Sequence, residues 1–357
     1  MSGPDGAGSS RREFLAGKGH VDESPPQADS DIGGEIPRAG DTLRIQTRAM
    51  ACQFAVFLDV DRREQLETVS SVLESVHNLE SLMTVHRSES PMARANAAAA
   101  DAAVVLDETL FTVVAMACRI AEETDAAFDP TTGPLVELWR QARETGRVPE
   151  DNEVRRVREL GGLADVAIDA GDGSISYHRT GVELNLGGIG KGFALDRIAE
   201  ELLAADVDSY LLHGGHSSLL ARGAHQQHAG WPVGIRNPLF PDRRLATLVL
   251  GERAMSTSGS GIESFRIDGR RFSDILDPRT GWPAEGMLSV TVLAETAAEA
   301  DALSTAFFVG GVEFARTCCD NRPGVSALLI PTPRRGQTLE PIVCGIPDEV
   351  LFFEEPV

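Results

Sequence analysis

A lysine within a glycine-rich segment is the residue whose setting most clearly indicates chemistry. Lys191 lies in the segment 185–192, which holds four glycines and separates a predicted strand (182–186) from a predicted amphipathic helix (193–203). Such a turn lets backbone amides approach a phosphate, and the positive end of the helix dipole favours the negative charge. Lys191 adds a point cation there. The spacing matches neither Walker A nor the dinucleotide motif, so an ordinary tight turn stays an equal alternative.

Two oxygen-bearing side chains form a second candidate pair. Asp301 and Thr305 stand four residues apart in a predicted helix, so their oxygens share one face near its first turn. Hard oxygen ligands suit Mg²⁺, which combines few protein ligands with waters and substrate phosphates. Taken alone, Asp301 is more simply interpreted as the N-cap of its helix.

Carboxylates and an arginine mark a third segment, the turn that follows a predicted strand at 271–276. Asp274 precedes this turn, and Asp277 and Arg279 lie within it. Glycine and proline end the strand here, which is typical of a turn that presents side chains to solvent or to a ligand.

Six separated motifs, taken in order, resemble the ApbE family, the FAD:protein FMN transferases, over roughly residues 42–343. The motifs are Ala127-Phe-Asp-Pro130, Asn185-Leu-Gly-Gly-Ile-Gly-Lys191, Gly214-Gly215, Ser256-Thr-Ser258, Asp277-Pro-Arg-Thr-Gly281 and Ala300-Asp-Ala-Leu-Ser-Thr305. The resemblance implies an α+β fold, in which a mixed sheet and helices form two packed halves around a ligand cleft.

The activity that the resemblance implies is phosphoryl transfer assisted by Mg²⁺. The family splits the pyrophosphate of FAD and passes the FMN half to a Ser or Thr hydroxyl of a target flavoprotein, and AMP leaves. Some members hydrolyse FAD to FMN and AMP instead. Transfer of this kind depends on positioning and on neutralising charge, which a metal, a lysine and backbone amides supply.

The family's functional residues carry over to individual positions of this sequence. The resemblance assigns metal binding to Asp301, Thr305 and the backbone carbonyl of Gly188. Contacts to FAD fall to residues spread over the chain, which are Met50, Ala127, Phe128, Asp129, Asn185, Lys191, Thr257 and Ser258. Lys191, Asp274 and His216 are the predicted catalytic residues.

Two of these positions depart from the family pattern. The family usually carries a histidine where Asp274 stands, and that histidine is thought to deprotonate the acceptor hydroxyl. His216 stands where the family has Asp or Asn. Either His213 or His216 acts as the base beside Asp274, or the chain has lost acceptor activation and is a slow FAD pyrophosphatase or a non-catalytic FAD-binding protein. A loop-packing role for both histidines stays open.

The composition of the 357 residues restricts the partners. A formal net charge of −21 argues against nucleic acid and anionic membrane surfaces, and no run of about 20 apolar residues predicts a membrane span. The predicted organisation is a disordered tail at residues 1–40, the transferase domain at 41–345 and a C-terminal tail at 346–357. Arg11 and Arg12 resemble a twin-arginine motif, but no apolar stretch follows them, so we expect a cytoplasmic protein.

Hydrophobic periodicity predicts the elements that must position these residues. A strand is expected at 42–59 and a helix at 62–82, with further helices at 110–124 and 135–144. The remaining predicted strands are 166–177 (a pair), 209–212, 218–222, 231–236, 245–250, 254–256, 264–267, 271–276, 289–294 and 325–331.

Overall fold

A computed structural model describes residues 40–215, 217–259, 264–334 and 338–354. The predicted tail 1–40, apart from Gly40, lies outside the described residues, and so does the predicted catalytic residue His216. Every other predicted site residue falls within them.

Eight α-helices are described, the longest being the last. They are α1 (Leu66–Leu73), α2 (Val76–Met83), α3 (Pro91–Ala98), α4 (Glu108–Glu123), α5 (Gly133–Thr145), α6 (Asp151–Arg158), α7 (Gly190–Ala204) and α8 (Ala297–Asn321). Short 3₁₀ turns occupy Arg63–Gln65, Pro130–Thr132 and Leu163–Asp165. Gly311 interrupts α8 with a φ of 81°, so this helix is kinked. Within the described residues, none of the helices combines the length and apolar character that crossing a bilayer requires.

Sixteen strands are described. They are β1 (Thr42–Ala49), β2 (Cys52–Asp59), β3 (Val104–Val105), β4 (Val166–Asp169), β5 (Ser174–Tyr177), β6 (Tyr210–Gly214), β7 (Ser218–Arg222), β8 (Trp231–Arg236), β9 (Arg244–Leu250), β10 (Ala254–Gly259), β11 (Phe265–Ile267), β12 (Arg270–Phe272), β13 (Met287–Ala294), β14 (Ser326–Pro331), β15 (Ile342–Cys344) and β16 (Leu351–Phe353).

Eight of these strands form a central sheet in the order β1-β2-β6-β7-β10-β13-β14-β15. Two three-stranded sheets, β16-β9-β8 and β3-β5-β4, and the β11–β12 hairpin complete the set. All the pairs among the described strands are antiparallel. Helices and antiparallel sheets together confirm the predicted α+β class.

The central sheet has a hydrophobic core on each face. Inward residues such as Val56, Leu212 and Val290 pack against α7 and α8 in the larger core. On the other face, Leu219 and Met255 pack against the sheet of β8, β9 and β16. Alternation along each strand sends successive side chains to these opposite layers. The central sheet is therefore enclosed between a helical layer and a small sheet.

Several predicted elements differ from the structure. The strand predicted at 42–59 is a hairpin, because residues 50 and 51 turn the chain between β1 and β2. The helix predicted at 62–82 is two helices, since residues 74 and 75 separate α1 from α2. The strand predicted at 271–276 ends at Phe272 as β12.

The apolar run at 182–186 is wrong as a strand of a sheet. It is extended and buried, but its backbone bonds to side chains and loops rather than to a strand. The Asn96 side-chain amide donates to Leu184 O (2.9 Å) and accepts from Leu184 N (2.9 Å), while Asn185 N donates to Pro130 O (2.7 Å). Hydrophobic periodicity cannot distinguish this segment from a strand of a sheet, because the apolar side chains are buried in both cases.

Three strands were absent from the sequence interpretation, and the first of them, β3, pairs with β5. β15 is the edge of the central sheet, and β16 pairs with β9. β16 lies in the segment 346–357, which the sequence analysis sets apart as a C-terminal tail. All three strands have only two or three residues, too few for a recognisable alternation.

Candidate functional site

A cleft of about 1180 Å³ opens at the end of the central sheet where β6 ends and β7 begins. Two sides can be distinguished. The helix side consists of Lys191 at the start of α7 with Asp301 and Thr305 of α8. The strand side consists of β8 and the residues of the central sheet that face it, among them His213 and Thr257. The cleft therefore brings together residues of the helical layer and residues of the small sheet at the ends of the central strands.

Asp301 is the centre of the helix side. Its carboxylate is buried, with only 5% of the residue exposed. Lys191 Nζ lies 3.5 Å from Asp301 Oδ2, and Gly192 N donates to the same oxygen at 3.2 Å. The carboxylate therefore accepts from the first turn of α7, where the helix dipole favours negative charge. The interpretation of Asp301 as the N-cap of its own helix is wrong, since Thr296 fills that position.

Two serines from neighbouring strands hold the other oxygen of Asp301. Ser218 Oγ and Ser256 Oγ donate to Asp301 Oδ1 at 3.2 Å and 3.0 Å. Both serines are fully buried, and they face each other across the β7–β10 pair at 3.2 Å. This arrangement fixes the rotamer of Asp301 before any ligand arrives.

Thr305 lies one turn further along α8, beside Gly188. A Cβ atom placed on Gly188 would come within 3.1 Å of the Phe128 ring and 3.7 Å of Thr305 Oγ1. Ser258 Oγ contacts Thr305 Oγ1 at 3.4 Å and Ser304 Oγ at 2.8 Å. The glycine turn therefore lies in contact distance of α8, and a side chain on Gly188 would press on the ring of Phe128.

The oxygens gathered here fit a small hard cation. Asp301 supplies a carboxylate and Thr305 a hydroxyl, and Gly188, whose carbonyl the resemblance assigns to the metal, lines the same cleft. No cluster of three or more His, Cys, Asp or Glu side chains able to hold a metal occurs in the described part of the chain. A site with one carboxylate suits Mg²⁺, which retains waters and binds substrate phosphates, better than a transition metal.

A second carboxylate joins the second turn of α7 to the N-terminus of α8. Asp196 of α7 accepts from Ala297 N (2.7 Å) and Ala298 N (2.8 Å), the first amides of α8. Burial raises the pKa of Asp196 to about 7, although these two amides act to lower it. Gly192 adds a close contact, because a Cβ there would lie 2.0 Å from Ala297 O. The spacing of Lys191 and Asp301 is therefore set by this helix junction.

Two strained turns border the cleft. Met50 and Ala51 form the turn of the β1–β2 hairpin with φ values of 50° and 59°. Asp125 and Ala126 have φ values of 47° and 56° and lead directly into the predicted FAD contact at Ala127. Non-glycine residues rarely adopt this left-handed conformation, which costs about 1–3 kcal/mol each, and such strain is concentrated at functional sites.

Asp129 and Asn185 line the cleft and also organise its loops. Asp129 Oδ1 accepts from Thr131 N and Thr131 Oγ1, both at 2.7 Å. Burial raises the pKa of Asp129, and these two bonds partly offset the effect. Asn185 Oδ1 accepts from Gly187 N at 2.8 Å and shapes the glycine turn. Both side chains thus have a structural task in addition to the predicted FAD contact.

The strand side has a different character. His213 lies beside Phe57, with ring centroids 6.4 Å apart, and Thr257 Oγ1 contacts Thr291 Oγ1 at 2.8 Å. Arg236, at the end of β8, is exposed and lines the cleft. Asp274 also lines the cleft, just after β12.

The predicted site residues meet in this cleft wherever the structure describes them. The lining includes all of the predicted metal, FAD and catalytic positions except His216: Met50, Ala127, Phe128, Asp129, Asn185, Gly188, Lys191, Thr257, Ser258, Asp274, Asp301 and Thr305. Sequence reasoning missed the roles of Ser218, Ser256 and Asp196, which act on Asp301 or its helix. Asp196 carried a usable signal, since it lies one helical turn beyond Gly192 in the same motif.

Residues 45–329 match the ApbE family. The FAD:protein FMN transferase of Treponema pallidum (strain Nichols) is 32% identical over 294 residues, covering 78% of this chain and 81% of the relative. The FAD:protein FMN transferase of Klebsiella pneumoniae (strain 342) is 31% identical, covering 73% and 81%.

Solved structures show the same likeness. The ApbE protein of Thermotoga maritima superposes with a TM-score of 0.75 at 29% identity, covering 84% of this chain and 96% of the other. The apo form of the flavinyl transferase ApbE of Pseudomonas stutzeri gives a TM-score of 0.71 at 26% identity, covering 89% and 98%.

Proposed function

The chain belongs to the ApbE family, and from this premise we propose that it transfers the FMN moiety of FAD to a Ser or Thr hydroxyl of a target flavoprotein. AMP is the other product, and Mg²⁺ is the metal. The observation that carries the proposal is the helix side of the cleft, where a lysine, a buried carboxylate and a hydroxyl surround the N-terminus of α7.

The bond changes of the proposed reaction are simple. The acceptor oxygen forms a bond to the phosphorus of the FMN moiety, and the bond from that phosphorus to the bridging pyrophosphate oxygen breaks. AMP leaves with the electron pair, and the hydroxyl proton passes to a base of the protein. Charge on the phosphates increases at the leaving oxygen, so cationic and N–H groups must already be in place.

Residues of the helix side supply this preorganisation. Lys191 is held 3.5 Å from Asp301 and can turn its ammonium group to a phosphate oxygen. The amides of Gly190 and Gly192 already donate to Leu186 O and Asp301 Oδ2, so α7 acts on the same anion through the positive end of its dipole. Asp301, Thr305 and the carbonyl of Gly188 would hold Mg²⁺, which neutralises phosphate charge when it is bound. The four bonds to Asp301 from Lys191, Gly192 and two serines keep its orientation.

The base is the open element of the site. Asp274 and His213 both line the cleft, whereas His216 lies outside the described residues. We expect one of the two variants Asp274→Asn and His213→Asn to transfer FMN about 10²–10⁴-fold more slowly, which is the usual contribution of a general base. The other variant should retain most of its rate. Comparable small losses in both would move the role to His216.

The test of transfer uses a library of synthetic peptides, each with one threonine. The protein is incubated with FAD, Mg²⁺ and the library, and the peptides are analysed by mass spectrometry. Attachment of FMN to threonine, lost when EDTA is added, supports the proposal. Release of FMN and AMP with no labelled peptide would identify a FAD pyrophosphatase instead.

A non-catalytic FAD-binding protein is the second candidate, and the carboxylate at Asp274 in place of a histidine is the observation that favours it. An unperturbed carboxylate is a weak base near neutral pH. In that case the protein binds FAD and forms neither AMP nor labelled peptide. Metal-dependent turnover that disappears in Asp301→Ala eliminates this candidate.

A further inference from the structure

β8 is the edge of its sheet and also part of the cleft. The small sheet has the order β16-β9-β8, and no described strand pairs with the outer side of β8. The last four residues of this strand, Val233 to Arg236, line the cleft. An edge strand presents a row of unpaired backbone groups, which proteins normally cover or use.

The bonds of β9 show which way the backbone groups of β8 point. Val249 N donates to Val350 O at 2.8 Å, and Glu354 N donates to Leu245 O at 3.0 Å. Odd-numbered residues of β9 therefore direct their backbone groups toward β16. Because successive residues of an antiparallel strand alternate in direction, the even-numbered residues direct theirs toward β8.

This alternation leaves the backbone of Gly234 directed outward. Leu248, an even-numbered residue, pairs with Val233, so Val233 bonds to β9 and Gly234 points its N–H and C=O to the open edge. Pro232 has the same outward position, where the missing N–H of a proline breaks no bond of the sheet. Gly234 is exposed and has no side chain to shield its backbone.

The size of the cleft leaves room for a second reactant at this edge. Its volume of about 1180 Å³ exceeds the roughly 300–1,000 Å³ of ordinary small-molecule pockets. The helix side provides the phosphate and metal groups, whereas the β8 edge provides backbone donors and acceptors. A row of such groups along a strand edge is the surface to which an extended polypeptide adds as a further strand.

Charge indicates the kind of polypeptide. Arg236 is exposed, and it makes no hydrogen bond or ion pair with another side chain in the described ranges. Arg48, on β1, also lines the cleft. In a chain with a net charge of −21, unpaired arginine at a cleft is complementary to an acidic ligand.

We propose that an extended, acidic segment of the acceptor protein binds as an added strand along the open edge of β8, beside Gly234 and Arg236. The segment brings its Ser or Thr hydroxyl into the cleft shared with Lys191 and Asp301. This inference rests on the proposed function, since it places the acceptor of that reaction.

The experiment compares Gly234→Pro with Gly234→Ala. Both variants add a Cβ, which meets only the flexible side chain of Arg244 at 2.7 Å, and Gly234 has no positive φ that would exclude proline. Proline alone removes the outward N–H and obstructs the edge with its ring. The probe is a library of peptides of about 13 residues with one central threonine, longer than a typical strand.

Labelling by FMN and affinity for FAD are measured for both variants. We expect peptide labelling by Gly234→Pro to be about tenfold slower than by Gly234→Ala, the effect of one or two backbone hydrogen bonds, with FAD affinities that agree. Labelled peptides should be enriched in Asp and Glu, and Arg236→Gln should reduce that enrichment. Equal labelling by the proline and alanine variants would overturn the proposal.

A second measurement does not depend on the folding of a variant. Peptides labelled by the natural protein are resynthesised with one N-methyl group at each position in turn. An added strand predicts losses of labelling at every second residue, because alternate amides face β8. Losses without this period overturn the proposal while transfer itself stands. If no peptide is labelled at all, the proposed transfer fails and the docking proposal fails with it.

Discussion

The two sides of the cleft differ in how completely their polar groups are bonded. On the helix side, Asp301 is buried and accepts from Ser218, Ser256 and the backbone of Gly192. On the strand side, β8 has an open edge and an exposed Arg236. Charges that act on a transition state work best when they are fixed in advance. A surface for a polypeptide partner instead keeps groups available for new bonds.

The largest expected effect comes from removing the charge of the helix side. Asp301→Asn retains the size of the side chain but offers no anion to Lys191 or to Mg²⁺. We expect the rate of AMP release to fall by about 10³-fold, comparable to the loss of a preorganised catalytic group. The control is Asp208→Asn, which alters an exposed ion pair with Arg62. A rate within a few-fold of the natural protein would contradict the assignment.

A smaller effect is expected from the serines that orient Asp301. Ser256→Ala removes one donor, and outer groups of this kind typically change metal affinity by about 10–100-fold. Mg²⁺ affinity is measured by calorimetric titration. Ser326→Ala is the matched control, because Ser326 Oγ is buried with no partner among the described residues. Equal affinities in the two variants would show that Asp301 needs no support.

The helix junction can be tested through stability. In Gly192→Ala the new Cβ would lie 2.0 Å from Ala297 O, so α7 and α8 must separate. We expect the free energy of unfolding to fall by about 2 kcal/mol, as for an overpacked core. Gly251→Ala, with its nearest contact at 4.0 Å, should change little in the same urea titration. If the free energy of unfolding of Gly192→Ala equals that of the natural protein, α7 and α8 can move apart without cost and the expected tight packing is contradicted.

The smallest effect concerns pH and Asp196. Burial raises the pKa of this carboxyl from 3.8 to about 7, so the folded state holds a proton that the unfolded state has released. The contribution of Asp196 to the free energy of unfolding is therefore fully present below pH 3.8 and is lost as pH rises through about 7. The stability of the natural protein relative to Asp196→Asn should decline across this window. Parallel pH profiles of the two proteins would contradict the raised pKa.

The sequence predicted the chemistry better than the geometry that supports it. Lys191, Asp301 and Thr305 stood out because their residue types and spacings have a direct chemical meaning, and the structure places them in one cleft. Ser218 and Ser256 could not be associated with Asp301, because they lie 83 and 45 residues away along the chain. Only the register of β7 against β10 brings both serines to one carboxylate.

The errors in the predicted elements have a related cause. Met50 and Ala51 are not among the residue types that favour hairpin turns, such as Asn, Asp and Gly, so their left-handed turn could not be predicted from the sequence. The run at 182–186 has the apolar character of a strand, yet the side chain of Asn96 takes the place of a neighbouring strand. Local pattern reports burial, whereas the partner of a buried backbone is decided by the tertiary fold.

The most direct test of the proposed transfer is the release of AMP from FAD by the purified protein, measured with Mg²⁺ and with excess EDTA in the presence of the threonine peptides. The proposed transfer predicts AMP release that requires Mg²⁺ and equals the amount of FMN attached to peptide. Tight binding of FAD with no AMP under either condition would contradict it.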